Sequence, residues 1–206
     1  MRRMGLTACA AILLTALVAA GTFAAAAQSS HQIDRRAAEK IMRDYDQAIE
    51  TANEFMRLYP AVAFGLSLRG TYSFLRADYA AAVEDLAFSS KFLDRPDDVI
   101  WLFLARARLG MNGAADLAAG VARLRLQGWP SPVVELFLGK RTPAEMQAAA
   151  ARAGKTCEGL FYAAQWRILR SEHTDAIALY RNVLDVCPEG TTEYGYAITE
   201  IVRLDR

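Results

Sequence analysis

The chain has 206 residues, with 24 Lys and Arg against 23 Asp and Glu, and 53% of its residues are hydrophobic. That length suits one compact domain or a short repeat array, and the near-neutral balance leaves no basic stripe of the kind nucleic-acid binding requires. With 13 Gly, 6 Pro, abundant Ala and no sustained period-two alternation, the composition predicts an all-α fold.

The first residues read as a targeting segment. Arg2 and Arg3 precede an apolar run from Leu6 to Ala20, and Ala25 and Ala27 stand at −3 and −1 of a cut after Ala27. Residues 1–27 are therefore taken as a signal peptide and 28–206 as the mature helical domain, periplasmic or secreted. A retained anchor is the alternative, but a spanning helix needs about 20 apolar residues. Leu6-Thr7-Ala8-Cys9 has the form of a lipobox, yet most of the apolar run follows Cys9. Cys9 is read as an ordinary leader residue, with an envelope lipoprotein anchored through Cys9 as the alternative. Removing Arg2 and Arg3 from the 24 cationic residues leaves 22 against 23 acidic ones. No polybasic membrane patch is visible in the mature chain, and no membrane span is expected after processing.

Ile33 to Met42 is charged with helical spacing, and Ala48, Ala52, Phe55 and Pro60 follow. The next stretch places Leu66, Gly70 and Phe74 on one helical face, turns at Ala77-Asp78-Tyr79, and resumes with Ala82, Leu86 and Phe92. Asp94-Arg95-Pro96-Asp97-Asp98 stops that helix and starts another. Trp101, Leu104, Ala105 and Arg108 share a face, Met111-Asn112-Gly113 turns the chain, and Leu117, Val121 and Leu124 continue to Trp129-Pro130. Two short helices are expected over 131–156, the second opened by Thr142-Pro143-Ala144-Glu145, a capping box with Pro at the first helical position.

Cys157 to Pro188 is the clearest helix pair. It breaks at Ser171-Glu172-His173-Thr174, and its second half places Ala176, Tyr180, Val183 and Pro188 at small, aromatic, medium and stop positions. Ala48 and Pro60 repeat the spacing of Ala176 and Pro188, and Ala48 to Ala82 is a step of 34. This pattern resembles a tetratricopeptide (TPR) repeat. The units are read as about 31–60, 61–96, 97–130, an insert at 131–156, 157–188, and a cap at 189–206. The cap helix, from Glu193 to Leu204, is expected to cover the exposed apolar end of the array.

Cys157 and Cys187 stand at the two sequence ends of the last pair. If its helices run antiparallel the thiols meet, and a bridge across a loop of about 30 residues contributes about 3 to 4 kcal/mol. Two buried free thiols are the other reading.

The order of Trp129-Pro130, Leu136-Phe137-Leu138-Gly139, a capped short helix, the final repeat and the closing Thr192-Glu193-Tyr194 helix is similar to NlpI-like TPR proteins of the bacterial envelope. Members of that family act as adaptors holding peptidoglycan hydrolases and a periplasmic protease, so the resemblance implies an adaptor, with regulation of envelope hydrolases or a protease as one expected role; no motif in this sequence identifies the specific partners. The resemblance also implies a lipid anchor, for which this sequence lacks a well-placed lipobox.

No catalytic or metal set stands out, and no cofactor is expected. His31 and His173 lie apart, and no paired His or Cys motif accompanies them. Gly65-Leu66-Ser67-Leu68-Arg69 lacks the last glycine of a nucleophile elbow. Gly154-Lys155-Thr156 lacks the first glycine of a phosphate loop, because residue 149 is Ala. In a TPR array the first helix of each pair lines the concave groove. Groove-facing candidates are Phe64, Ser67, Thr71 and Phe74, then Val99, Leu102 and Arg106, then Phe161, Gln165, Ile168 and Leu169. Of these, Phe64, Thr71, Phe74, Leu102, Arg106, Phe161, Gln165 and Ile168 are the partner-binding set. The expected role is a non-enzymatic scaffold for other envelope proteins, with a homodimer also open. The alternatives are an envelope hydrolase with an unrecognised site and a purely structural oligomerisation module.

Overall fold

The computed structural model describes residues 35–205, so the leader, the cut after Ala27, Cys9 and His31 lie outside the described residues. The described residues are helical throughout, without a strand. The chain divides into Met1–Ala37 and a compact unit, Ala38–Arg206. Helix α1 is helical over 35–58. It is followed by α2 (Phe64–Leu75), α3 (Tyr79–Phe92), α4 (Pro96–Arg108), α5 (Ala114–Leu124), α6 (Ser131–Phe137), α7 (Pro143–Arg152), α8 (Thr156–Leu169), α9 (His173–Val186) and α10 (Thr192–Leu204).

Proline placement explains most of the breaks. Pro96, Pro132 and Pro143 stand in first turns, where a missing N–H costs nothing. Pro60, Pro130 and Pro188 stand in connections. Thr142 and Glu145 form the full capping box of α7. Between 35 and 58 there is neither Gly nor Pro, and α1 runs unbroken through the stretch read as the 31–60 unit. Its buried residues are Ala38, Tyr45 and Ala52. Ala48 is half-buried.

α2 and α3 run antiparallel. Gly70 lies against Leu86, and a Cβ there would come 2.7 Å from its Cγ. One residue away Arg69 grips Asp85 through two bonds of 2.7 Å and donates to Asn53 of α1 at 3.0 Å. Phe74 meets Tyr79 at the closed end. α8 and α9 pair in the same way, with Gln165 beside Tyr180 at mid-length. Cys157 and Cys187 are joined at the far end in a disulfide, their Cα atoms 5.6 Å apart. α4 and α5 pair through Val99 beside Gly120 and Arg106 beside Asp116.

These three hairpins close through one turn geometry. Ala77, Gly110 and Ser171 have φ of 66°, 72° and 61°. The next N–H in each case reaches back to a carbonyl five residues earlier: Asp78 to Ser73, Met111 to Arg106, Glu172 to Arg167. This is the left-handed C-terminal cap that satisfies the last orphan carbonyls of a helix. α6 and α7 end on the same device, at Gly139 and Gly154.

One core runs through the unit. Phe74, Trp101, Phe161, Tyr180 and Tyr196 form its aromatic centre. Burying each such side chain contributes about 1.5–3 kcal/mol. The contacts of α10 extend beyond the last pair. It packs on α8 and α9, reaches Phe74 of α2 and Arg108 of α4, and sets Gly195 against Tyr45 of α1.

Candidate functional site

The partner-binding set divides into three groups. Phe74 and Phe161 are fully enclosed, with the Tyr196 ring 5.8 and 5.3 Å from theirs. Gln165 is equally buried, donating to the Tyr180 hydroxyl at 2.7 Å and accepting from Arg108 at 3.0 Å. Ile168 is buried in the same core. Tyr196 of α10 lies against Phe74, Phe161 and Gln165, and all four side chains are enclosed. They are packing residues, and their assignment as partner contacts is corrected. Ser67 is buried as well, its hydroxyl donating to Asp98 at 2.7 Å.

A second group lies at the margin. Phe64 keeps 37% of its surface exposed, with the Arg95 guanidinium 5.4 Å from its ring. Thr71 is half-buried and donates its hydroxyl to the Ser67 carbonyl at 2.9 Å.

The third group, Leu102 and Arg106, opens together with Val99 on a cavity of about 430 Å³ between α3, α4 and α5. Its floor is Val99, Leu102 and Leu117. Gly120 lets α5 approach that floor closely, since a Cβ there would come 2.6 Å from a Val99 methyl. Lys91, Arg106 and Arg123 supply cations to the wall, and Asp116 is the one acid in it. Arg106 pairs with Asp116. Arg123 donates to Asp94 at 2.6 Å and to the Ser90 carbonyl at the end of α3 at 2.7 Å, where the helix terminus presents negative charge. Lys91 has no ionic or hydrogen-bond partner among the described residues. Arg106 is the one member of the predicted set that is charged, only partly buried and open to this cavity.

The inner face of α4 carries a residue that was read only as part of a packing face. Arg108 donates to Glu200 at 2.9 Å, to Gln165 at 3.0 Å and to the Tyr196 hydroxyl at 3.3 Å. Its guanidinium also lies 5.5 Å from the Tyr79 ring. Arg203 pairs with the other oxygen of Glu200. Burial pushes the Tyr180 and Tyr196 hydroxyls well above the usual phenol range, so both stay protonated. The hydrogen bonds of the cluster tie α4, α8, α9 and α10 together, while Arg108 Nε stays buried without a hydrogen-bond partner.

A further polar group gathers at three helix starts. Asp97, Glu158 and Glu193 stand in the first turns of α4, α8 and α10. The Trp129 indole donates to Glu158 at 2.6 Å, and Lys155 pairs with Glu158 at 2.7 Å. Burial raises the Asp97 and Glu193 carboxyls above their ordinary values, and neighbouring acids add to it.

His173 is exposed at the start of α9 and makes no hydrogen bond to a serine or cysteine among the described residues. No cluster of three or more His, Cys, Asp or Glu is arranged to hold a metal among the described residues. No described helix is long and apolar enough to cross a membrane. No protein-family model matches the chain, and no curated protein matches it either.

Proposed function

We propose that the chain is a non-catalytic helical-repeat scaffold of the tetratricopeptide kind, working in the bacterial envelope once its leader is removed. Its task is to bind other proteins. The observation that carries this reading is the open cavity of about 430 Å³ between α3, α4 and α5, with an apolar floor and a charged mouth. Three helix hairpins with a common turn, joined into one core, make a rigid frame for such a surface. The binding surface differs from the concave groove of the sequence reading, because Phe74, Phe161 and Gln165 are enclosed against Tyr196 of α10. An envelope setting rests on the leader alone.

The test is affinity capture from a bacterial envelope extract with the purified mature chain as bait. The expected result is a small set of proteins recovered in near-equal amount to the bait. Recovery of nothing beyond a bait-free control sinks the adaptor reading. A second reading, a homo-oligomerisation module, is favoured by the adjoining, tilted rings of Phe88 and Phe92 of α3, which remain 50% and 65% exposed. Light scattering of the purified chain separates the two, since only the second requires a stable oligomer without a partner.

A further inference from the structure

The cavity between α3, α4 and α5 indicates what kind of partner segment it accepts. Its volume, about 430 Å³, falls within the range of built ligand pockets, roughly 300–1,000 Å³. The floor of Val99, Leu102 and Leu117 offers no hydrogen-bonding side chain, so what enters must be apolar. α5 leaves the approach open. Beside Asp116 and Arg123, its exposed positions are Ala115, Ala118, Ala119 and Ala122, whose small side chains let another backbone come close.

The mouth has the opposite character. Its wall holds three cations and one acid. Lys91 is exposed and unpaired among the described residues. The Arg106 side chain is only 18% exposed, yet its partner Asp116 stands 65% in solvent. A pair with one member in water is weak, so Arg106 can exchange Asp116 for an incoming carboxylate. Positive groups around an apolar recess select an anionic partner by charge complementarity and speed its encounter.

We propose that this cavity binds an acidic polypeptide segment that inserts a large apolar side chain. That side chain rests on Leu102 and Leu117, and flanking carboxylates meet Lys91 and Arg106. The proposal rests on the binding reading above and names the partner chemistry of that surface.

The experiment uses the mature, disulfide-bonded chain and short blocked peptides carrying a fluorescent label. One peptide has a central phenylalanine flanked by glutamates. In the second, lysines replace the glutamates, and in the third, alanine replaces the phenylalanine. Anisotropy titrations at low and high salt are compared for wild type, Lys91→Glu and Ala119→Trp. The second variant plugs the recess from an exposed helix position, and the first alters an exposed, unpaired side chain that leaves the fold alone. The glutamate–phenylalanine peptide is expected to bind wild type, to weaken with salt, and to lose about tenfold or more in affinity in each folded variant. The other two peptides are expected to bind at least tenfold more weakly. Absence of binding, equal binding of the lysine peptide, or binding unchanged by both variants overturns the proposal. The two readings fail separately. Envelope partners retained by both variants, with no peptide binding, remove the cavity proposal and keep the adaptor. Variant-sensitive peptide binding with no envelope partner keeps the cavity and removes the adaptor.

Discussion

Arg108 on α4 donates to Glu200 on α10 across 92 positions of sequence, at 2.9 Å, with Glu200 fully buried. Removing one member of a buried pair costs about 3–5 kcal/mol where the other is left with no partner; here Arg203 still pairs with Glu200, which lowers that loss. Arg108→Met and Glu200→Gln are each expected to lower the unfolding free energy. The double variant should lose less than the sum, because the second change removes the partner left behind. Urea unfolding of the three proteins measures this coupling. Losses that add to within about 0.5 kcal/mol mean that the two residues act independently.

That same pair marks the limit of what the sequence discloses. Helix breaks were legible, because prolines, the Thr142–Glu145 box and the turn at Ser171 act locally. So was the inward orientation of Phe74, Phe161 and Gln165. What covers them was not legible. The pattern of Tyr196, Ile198 and Ile201 says that α10 buries a face, but not against which neighbour. Glu200, a charge within that face, reads as solvent-exposed until Arg108 and Arg203 are beside it. The phase of α4 was ambiguous for a different reason. Residues from Asp98 to Leu102 are buried on every side of that helix, so periodicity cannot single out a groove face. Val99, Leu102 and Arg106 consequently lie around the helix from Trp101 and Arg108, on the side that opens outward.

The Cys157–Cys187 bond joins the open end of the α8–α9 hairpin, 30 residues apart in sequence. Its main effect is to restrict the unfolded chain. Replacing both cysteines with serine is expected to lower stability by about 3 to 4 kcal/mol while leaving the helical content unchanged, because Gln165 and Tyr180 still pair in the middle of the hairpin. Thermal unfolding by circular dichroism, with the intact and double-serine chains compared, checks this. Identical melting curves mean the bridge adds nothing to the fold.

The acids at the helix starts give a pH dependence of defined sign. Burial is the main reason the Glu193 carboxyl is raised in the folded chain, and Asp97 behaves likewise. A raised folded value means that the native state holds the proton longer. This contribution is present below the unfolded value, about 4.3 for Glu, and is lost as pH climbs through the raised folded value. Glu193→Gln removes the titration. Its melting temperature relative to wild type is expected to be more favourable at neutral pH than near pH 4. Exposed acids with lowered values, such as Glu145 and Glu172, are common to both proteins and cancel in the comparison. A difference that is flat with pH, or larger in acid, contradicts the assignment.

The shared hairpin turn gives the most economical test of the repeat. Gly110 fills its left-handed position in the α4–α5 hairpin, while Ala77 and Ser171 hold the equivalent positions with φ of 66° and 61°. A side chain with a Cβ is disfavoured there by about 1–2 kcal/mol. Glycine avoids that cost but gives back about 0.4–1 kcal/mol through the greater freedom of its unfolded chain. Ala77→Gly and Ser171→Gly should therefore each stabilise by about 0.5–1 kcal/mol, a rise of about 1–4 °C in melting temperature for a chain of this size. Gly110→Ala should shift it in the opposite direction by a similar amount. The three changes lie in different hairpins, so the two gains should add. If glycine destabilises at 77 or 171, those turns do not share the geometry of the one at Gly110, and the three hairpins are not copies of one unit.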